Sequence, residues 1–424
     1  MGNNYRQGGM LTFIKVAFRN IFRNGRRTAF CVVAVGVAVF FIAFYSGFID
    51  GMLNSMNETV QIFEIGHVQG VSAQYEAESE LMPVQYPVAE GKSLAALTEQ
   101  IRGISGVKAV LPRIKAYATL QEASLKHAIL WGVRMTEETK VNYFNLTDRG
   151  DGLLEGRYPA PLSNECAVGL RFAEKTGLKI GDRIPLKTVS AQFSDKLWSP
   201  TVTGIFRFDF TAADQDYIIV DFDRLQRLLV LDDESQQIIV YAEDPEMSTR
   251  IAEQMKGIMG SDDRITRWQD QLWIAMMVGY KPLFTVIFLI FLVVACLLIV
   301  NTITMIIHER IKEIGMMGSL GMTRREIVMT FFFESLFLAM FGATVGVLLG
   351  GIITGILQNT PIRWTAMMGE SAVATMPLAN TIFVDFSFPR LCQNWLMGVV
   401  VTSIFTLFPS IKSAWVEPVE ALRR

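Results

Sequence analysis

Four long apolar segments constrain the fold of this chain more than any other feature of its sequence. They cover about residues 28–49, 282–307, 327–357 and 395–408, and only the third contains a charged residue, Glu334. Since about 20 apolar residues cross a bilayer as an α-helix, the segments predict four transmembrane helices. The first segment is longer than the apolar core of a signal peptide and no small-residue cleavage site follows it, so we expect a permanent anchor.

The stretch between the first two apolar segments has the composition of a folded domain in water. The chain is 51% hydrophobic and 19% charged, and most of its acidic residues lie in 51–281. Short β-type runs alternate there with the helical patterns LAALTEQIRGI, ECAVGLRFAEKTGL, FDRLQRLLV and STRIAEQMKGIM. This order predicts an α+β domain with two lobes and stalk helices. The predicted fold is an α+β membrane protein, with an amphipathic helix and the first span in 1–50, a large extracytoplasmic domain in 51–281, and three spans in 282–424.

Lysine and arginine residues in the short flanks predict the orientation of the chain. They are concentrated before the first span and in the loop 308–327, and they are sparse in the loop 358–392. Because positively charged flanks stay in the cytoplasm, both termini and the loop 308–327 are expected inside the cell. Residues 50–281 and 358–392 then face outward.

The sequence carries no convincing signal for catalysis, metal binding or nucleic-acid binding. It has no phosphate-binding loop with a Lys-Ser/Thr ending, no GxSxG and no clear nucleophile–base pair. Three scattered histidines and four cysteines lack metal-ligand spacing, and a net charge of −2 does not favour a nucleic-acid partner. We therefore expect no catalytic residue, no metal site and no directly bound cofactor. Asp221, which precedes FDRLQRLLV, is expected to cap that helix.

Aromatic and methionine residues collect where the outer domain would enter the membrane. They occur in the first apolar segment and in GMLNSMNE after it, and in WQDQLWIAMMVGYKP before the second segment. The set is Phe44, Phe48, Met52, Met56, Trp273, Met276 and Met277. Methionine fills irregular apolar space, so a converging set would hold the acyl chains of a cargo. The alternative is an interfacial aromatic belt without a ligand.

The stretch LKTVSAQFSDKLWSPTVTGIF predicts two strands joined by a polar turn. Phe193 and Trp198 are expected to be exposed on this hairpin. Exposed aromatic residues on a protruding hairpin are typical of a docking surface for a partner. An ordinary hairpin with partly buried aromatic residues fits the same pattern.

A dense group of charges and glycines, HERIKEIGMMGSLGMTRREI, interrupts the apolar part of the chain at residues 308–327. Its glycines permit tight turns, and Thr323 with Glu326 fits a capping box that starts the third span. The loop is therefore expected to be a short structured hinge. Its apolar tips, including Met317 and Leu320, suit a groove in a cytoplasmic partner.

The stretch ERIKEIGMMGSLGMTRREI resembles the signature loop of FtsX-like permeases, the membrane subunits of type VII (MacB/Lol-type) ABC transporters. The likeness extends to Glu334, to the glycines at 342, 346 and 350, and to the ending PSIKSAWVEPVEALRR. The order of ILWGV, GLLEGR and the hairpin is most similar to that in the LolC/LolE lipoprotein-releasing permeases. The hairpin is shorter than the chaperone-binding hook of that branch.

The resemblance implies a membrane subunit, not an enzyme, that works with a separate ABC ATPase dimer binding ATP and Mg and with a second permease chain. Residues 309–321 would form the coupling helix seated in the ATPase. Its contact residues are Glu309, Arg310, Glu313, Gly315, Met317, Leu320 and Gly321. The implied cargo is a lipoprotein lifted from the outer leaflet of the bacterial inner membrane by mechanotransmission, with a periplasmic carrier docking on the hairpin. MacB-like efflux of peptides or drugs and FtsX-like regulation of cell-wall enzymes are the alternatives.

The third span contains two features that we interpret structurally. An intramembrane carboxylate is costly and usually partnered, so Glu334 is expected in an ion pair near the cytoplasmic end. The stretch GATVGVLLGG places small residues four apart, which permits the close approach of another helix. That helix is expected to be another span of this chain or of the partner permease.

Overall fold

A computed structural model describes residues 14–15, 17–19, 25–120, 127–141, 152–208, 210–309, 316, 322–363 and 380–413. Its contacts divide the chain into two units. The helical unit comprises Met1–Met52, Gly279–Pro361 and Phe383–Arg424, and the sheet unit comprises Leu53–Val278 and Ile362–Ile382.

The secondary structure follows the predicted division into long helices and a mixed domain. The α-helices are α1 Gly25–Val60, α2 Ala73–Ala77, α3 Leu94–Arg102, α4 Met135–Val141, α5 Leu170–Thr176, α6 Thr211–Asp216, α7 Phe222–Leu229, α8 Ser248–Ile258, α9 Leu272–Glu309, α10 Arg324–Leu357 and α11 Phe388–Ser413. A π-helical turn, Gln61–Ile65, follows α1, and 3-10 turns cover Ser79–Leu81, Pro245–Met247 and Trp268–Asp270. The strands are β1 Val68–Ser72, β2 Val107–Leu120, β3 Ala128–Val133, β4 Gly152–Gly156, β5 Glu165–Gly169, β6 Leu186–Val189, β7 Asp195–Trp198, β8 Thr201–Arg207, β9 Tyr217–Asp221, β10 Gln237–Ala242, β11 Asp263–Arg267, β12 Ile362–Arg363 and β13 Thr381–Ile382.

Three helices in the described part of the chain are long and apolar enough to cross a membrane. They are Thr28–Ile65, Arg324–Leu357 and Phe388–Ile411, and they contain the first, third and fourth predicted spans. The second predicted span, residues 282–307, lies within α9, where many side chains fall outside the described set. The count of four transmembrane helices therefore stays a prediction.

Small and β-branched side chains pack the helical unit. Val35 of α1, Ala343 of α10 and Val399 of α11 belong to one buried apolar cluster. A second cluster joins Ile42 of α1 to Cys296 of α9. The described side chains thus connect α1 to each of the other three long helices.

The sheet unit is organised around one mixed sheet. Its hydrogen-bonded order is β11-β1-β10-β2-β3-β9-β5-β8-β4, with β6 paired to β2 and β7 paired to β6. The pairs β3/β9 and β5/β8 are parallel. The long strand β2 pairs with β10 through its first half and with β3 and β6 through its second half. The mixed α+β domain expected from the sequence is confirmed.

The two faces of β2 have different surroundings because alternate residues of a strand point to opposite faces. Ile114 and Ala116 belong to the main apolar core, to which α3, α7 and α8 contribute. Arg113 and Lys115 lie on the other face and are nonetheless buried, with 0% and 3% of their surfaces exposed. Two buried cations on one strand require specific partners.

The prediction that ECAVGLRFAEKTGL forms one helix is wrong. Glu165–Gly169 forms β5, and α5 begins only at Leu170. Strand β5 lies between β8 and β9, and Cys166 is fully buried there. Pairing on both sides outweighs the local helical pattern. The predicted cap is confirmed, since the Asp221 carboxylate accepts a hydrogen bond from the Arg224 backbone N–H at 3.0 Å.

Candidate functional site

The predicted coupling segment is described only at its edges. Glu309 ends α9, Met316 is exposed, and the predicted contacts Arg310, Glu313, Gly315, Met317, Leu320 and Gly321 lie outside the described residues. The capping box that follows is confirmed. The Glu326 carboxylate accepts from the Thr323 backbone N–H at 2.8 Å, and the Thr323 hydroxyl oxygen accepts from the Glu326 N–H at 3.4 Å. The start of α10 is thereby fixed directly after the loop.

The predicted cargo residues are divided between the two units, so their convergence stays a prediction. In the helical unit, the rings of Phe44 and Phe48 stack along α1 with centroids 6.4 Å apart, and Met52 is half-buried one turn further on. In the sheet unit, Met56 is buried and Met276 is 40% exposed. The side chains of Trp273 and Met277 lie outside the described set.

The predicted hairpin forms from β6 and β7, but only one of its two aromatic residues is exposed. Phe193 is 75% exposed at the turn, whereas Trp198 is only 7% exposed. The expectation of an exposed Trp198 is therefore wrong. Its indole N–H donates to the Asn164 side chain, and the Arg224 guanidinium lies 5.9 Å from its ring centroid. Any docking role of the hairpin falls to its exposed side, where Leu197 is 69% exposed.

The glycine series of α10 packs against α1, as close-packing small residues predict. A Cβ on Gly342 would lie 2.5 Å from Val35 Cβ, and one on Gly346 would lie 2.5 Å from the Gly36 carbonyl oxygen. The neighbour is thus the first long helix of this chain. On the same helix, Glu334 is buried, with 9% of its surface exposed. Its expected ion pair stays a prediction.

Residues 47–51 of α1 contact the first turn of α11 and the segment just before it. Arg390 forms ion pairs with Asp50 at 2.9 Å and with Asp385 at 3.2 Å. The Asp385 backbone N–H donates to the Gly47 carbonyl at 2.9 Å. At Gly51 a Cβ would lie only 2.0 Å from the Phe383 carbonyl oxygen. These contacts leave no space for a side chain where the two segments cross.

The sheet unit contains a polar junction that the sequence did not predict. It lies where α1 passes into the π-helical turn Gln61–Ile65, which ends at Gly66 with φ of 62°. Three successive backbone carbonyls of the turn accept side-chain hydrogen bonds: Gln61 from the Tyr241 hydroxyl at 2.7 Å, Ile62 from Arg113 Nη1 at 2.8 Å, and Phe63 from Lys115 Nζ at 2.9 Å. We call Arg113, Lys115 and Tyr241 the clamp.

Buried partners hold the clamp in place. The Arg113 guanidinium donates to both carboxylate oxygens of Glu138, at 2.7 and 2.9 Å, and lies 5.3 Å from the Trp131 ring centroid. Burial alone would lower the pKa of Arg113, but the charges of Glu138 and Tyr241 and the hydrogen bonds to them together outweigh burial and keep that pKa above its usual value. Lys115 also donates to the Tyr217 hydroxyl at 3.3 Å. The Arg113 guanidinium is therefore charged, and the buried Lys115 side chain has hydrogen-bond partners on the turn and on β9.

An aromatic cluster surrounds the apolar side of the same turn. The ring of Phe63 lies 5.2 Å, centroid to centroid, from both Phe208 and Phe210, and 5.8 Å from Trp131. The turn is therefore held through its backbone by the clamp and through Phe63 by aromatic packing. A useful sequence signal existed, namely two basic residues two apart in the apolar strand KAVLPRIKAYATL.

His67, directly after the turn, makes the stability of the sheet unit depend on pH. Its Nδ1 accepts the Ala242 backbone N–H at 2.9 Å, and burial lowers the pKa of its ring. His67 therefore binds a proton more readily in the unfolded chain than in the folded one. The stabilisation that neutral His67 provides is present above about pH 6.5 and is lost as the pH falls below that value. We expect the full chain in detergent to melt at a lower temperature at pH 5.5 than at pH 7.5, and His67→Gln to reduce that difference. An equal pH effect in both proteins would contradict this role.

Within the described residues, no group of three His, Cys, Asp or Glu side chains is placed to hold a metal ion. The described contacts include a small-residue crossing of α1 and α10, the ion pairs of Arg390, and the clamp at the end of α1.

Comparison with known proteins shows which family this chain belongs to. Residues 285–418 match the model of the FtsX-like permease C-terminal region, and residues 28–258 match that of the MacB-like periplasmic core domain. An uncharacterised ABC transporter permease of Methanocaldococcus jannaschii is 26% identical over 287 residues, which cover 65% of this chain and 66% of that protein. The lipoprotein-releasing system transmembrane protein LolC of Xylella fastidiosa is 20% identical over 334 residues, which cover 75% of this chain and 78% of LolC. The periplasmic region of MacB from Actinobacillus actinomycetemcomitans aligns with a TM-score of 0.33 at 11% identity, over 50% of this chain and 92% of that structure.

These findings define the class of protein as an ABC transporter permease, a membrane-spanning subunit. The periplasmic core model alone covers more than half of the chain. The chain belongs to the FtsX-like permeases that carry a MacB-like periplasmic core domain. The resemblance expected from residues 308–327 is confirmed.

Proposed function

We propose that this chain is the permease subunit of an ATP-driven transporter that extracts lipoproteins from the outer leaflet of the bacterial inner membrane for delivery toward the outer membrane. A separate ABC ATPase dimer would hydrolyse ATP, and a second permease chain, identical or paralogous, would complete the membrane part. The observation that carries the proposal is the similarity to LolC over 334 residues. An alignment of that length includes parts of both the outer domain and the membrane helices.

The physical demands of extraction fit the architecture. Removing an acyl chain from the bilayer costs roughly 0.8 kcal/mol per CH₂, so a lipid anchor requires both work and an apolar receiving surface. Helix α1 has 36 residues and is about 54 Å long at about 1.5 Å per residue. This exceeds the ~30 Å hydrocarbon core of a bilayer. A push from a cytoplasmic ATPase on residues 309–321 would reach the outer domain through such rigid helices, and the aromatic and methionine set would receive the acyl chains.

Efflux of peptides or drugs is a second candidate, because residues 28–258 match the model of the MacB-like periplasmic core domain. Depletion of the protein in its host separates the candidates. Under the proposal, outer-membrane lipoproteins accumulate in the inner membrane. Changed drug sensitivity with normal lipoprotein sorting would favour efflux, and septation or wall defects with normal sorting would favour a regulator of cell-wall enzymes. Either of the last two results would overturn the proposal.

The coupling segment gives a direct prediction. Leu320→Asp places a charge on an apolar tip that we expect to be buried in the ATPase, where one such contact is worth about 2 kcal/mol or more. We expect Leu320→Asp to uncouple ATP hydrolysis from cargo release. The amount of cargo released per ATP hydrolysed should fall about tenfold or more, and insertion of the chain into the membrane should be normal. Gly315→Pro should act in the same direction. Thr323→Ser keeps the capping hydroxyl and serves as the control. Normal release by both Leu320→Asp and Gly315→Pro would count against the assignment.

A further inference from the structure

The clamp lies where the long helix α1 passes into the first strand of the sheet. Helix α1 ends at Val60, the π-helical turn occupies Gln61–Ile65, and β1 begins at Val68. Only two residues separate the turn from the strand. At Gly66 a Cβ would lie 2.4 Å from Ile239 Cγ2. The connection between α1 and β1 is therefore short and closely packed.

The last carbonyl groups of a helix have no partners inside the helix. Here side chains from the sheet donate to the carbonyls of Gln61, Ile62 and Phe63. The Gln61 carbonyl also accepts the Gly66 backbone N–H at 2.9 Å. Two of the three donors are cations, which also interact favourably with the negative end of the helix dipole. The sheet thus binds the helix end through backbone carbonyls. These hydrogen bonds do not depend on the rotamers of the side chains of the helix.

The donors come from the middle of the sheet rather than from its edge. Arg113 and Lys115 belong to β2, which pairs with β10 on one side and with β3 on the other. Tyr241 belongs to β10. A displacement of the helix end therefore acts on two hydrogen-bonded central strands, and these transmit it across the sheet without an intervening loop.

We propose that Arg113, Lys115 and Tyr241 are positioning residues that lock the end of α1 to the central strands, so that a movement of α1 moves the sheet unit as a rigid body. This inference rests on the proposed function for its consequence in transport. It assigns the transmission of movement to three side chains and to the carbonyls they hold. Weakening the hydrogen bonds of the clamp is expected to uncouple movement of α1 from cargo release without affecting binding of the ATPase.

The test uses the full chain with its ATPase partner in lipid nanodiscs and two spin labels. Asn54→Cys on α1 and Glu253→Cys on α8 provide exposed label sites. Cys392→Ser removes the exposed native cysteine, and the other three native cysteines are buried. The clamp variants are Lys115→Met, Tyr241→Phe and the double variant Arg113→Met/Glu138→Leu. The double variant avoids leaving a buried charge unpaired, since well-packed apolar replacements of a buried ion pair are tolerated.

The matched control is Arg134→Met. Arg134 also pairs with a carboxylate of the sheet unit, Asp223 at 2.8 Å, but that pair is about one-third exposed and has no role in the clamp. We expect the distance distribution between the labels to broaden in Lys115→Met and in the double variant, less in Tyr241→Phe, and not in the control. In parallel, lipoprotein released per ATP hydrolysed should fall about fivefold or more in the two stronger variants, a change that needs only about 1 kcal/mol.

The outcomes separate the inference from the proposed function. Unchanged distance distributions in the clamp variants would overturn the inference, as would normal release per ATP despite broadened distributions. If the wild-type complex releases no lipoprotein, the proposed function fails. The distance distributions then test only the claim that the clamp holds the end of α1 to the sheet. Broader distributions in the clamp variants would support that claim, and unchanged widths would overturn it.

Discussion

Gly346→Ala should destabilise the helical unit, although alanine is normally the better residue in a helix. The added Cβ would lie 2.5 Å from the Gly36 carbonyl oxygen and 2.9 Å from Val39 Cβ. Backbone atoms cannot move aside as a flexible side chain can, so α1 and α10 must separate. Overpacking of this kind costs about 1–3 kcal/mol, which exceeds the gain of up to about 1 kcal/mol in helix propensity. Gly346→Leu should prevent the two helices from packing at all.

Gly355→Ala on the same helix is the matched control. A Cβ there would meet only Phe386 Cδ2, at 3.9 Å, which is ordinary contact. Thermal unfolding of the purified full chain in detergent should therefore show a lower melting temperature for Gly346→Ala and an equal or higher one for Gly355→Ala. Equal behaviour of the two variants would show that the close crossing of α1 and α10 does not stabilise the unit.

Arg113→Met should be the most destabilising single substitution in the sheet unit among the ion-paired residues considered. It leaves the Glu138 carboxylate, with 1% of its surface exposed, without its cation, and it removes the donor to the Ile62 carbonyl. Breaking one side of a buried pair costs about 3–5 kcal/mol. Denaturant unfolding of the full chain, followed by a signal from the sheet unit, measures this loss.

The double variant Arg113→Met/Glu138→Leu distinguishes the lost pair from lost packing. We expect it to be more stable than Arg113→Met alone, because no charge is then buried without a partner. Arg134→Met removes an exposed pair and should change stability by about 0–1 kcal/mol. If the double variant lost as much stability as Arg113→Met and Glu138→Leu lose in total when made separately, the ion-pair explanation would be contradicted.

Features that depend on neighbouring residues in the chain were predictable from the sequence. The capping box of Thr323 and Glu326, the cap at Asp221 and the small-residue face of α10 each arise from residues within a few positions of one another. The family resemblance of residues 308–327 has the same local character. The alternation of strand and helix patterns likewise indicated the mixed domain.

Features that depend on distant residues were not predictable. Trp198 is buried in the main apolar core, where Asn164, 34 positions earlier, accepts its indole N–H. Glu165–Gly169 is a strand because β8 and β9, which follow it in the chain, pair with both of its edges. The partners of Arg113 lie 25, 51 and 128 positions away. Two charges in an apolar strand indicate only that partners must exist, and the fold determines which residues they are.

The most direct test of the account is ATP-driven release of a triacylated lipoprotein from proteoliposomes that contain this chain with the ABC ATPase that we expect to co-purify with it. We predict release into solution that requires ATP, an apolar acceptor and an intact loop 309–321, with no release by Leu320→Asp. Absence of any co-purifying ATPase, or lipoprotein release that is independent of ATP, would contradict the central claim.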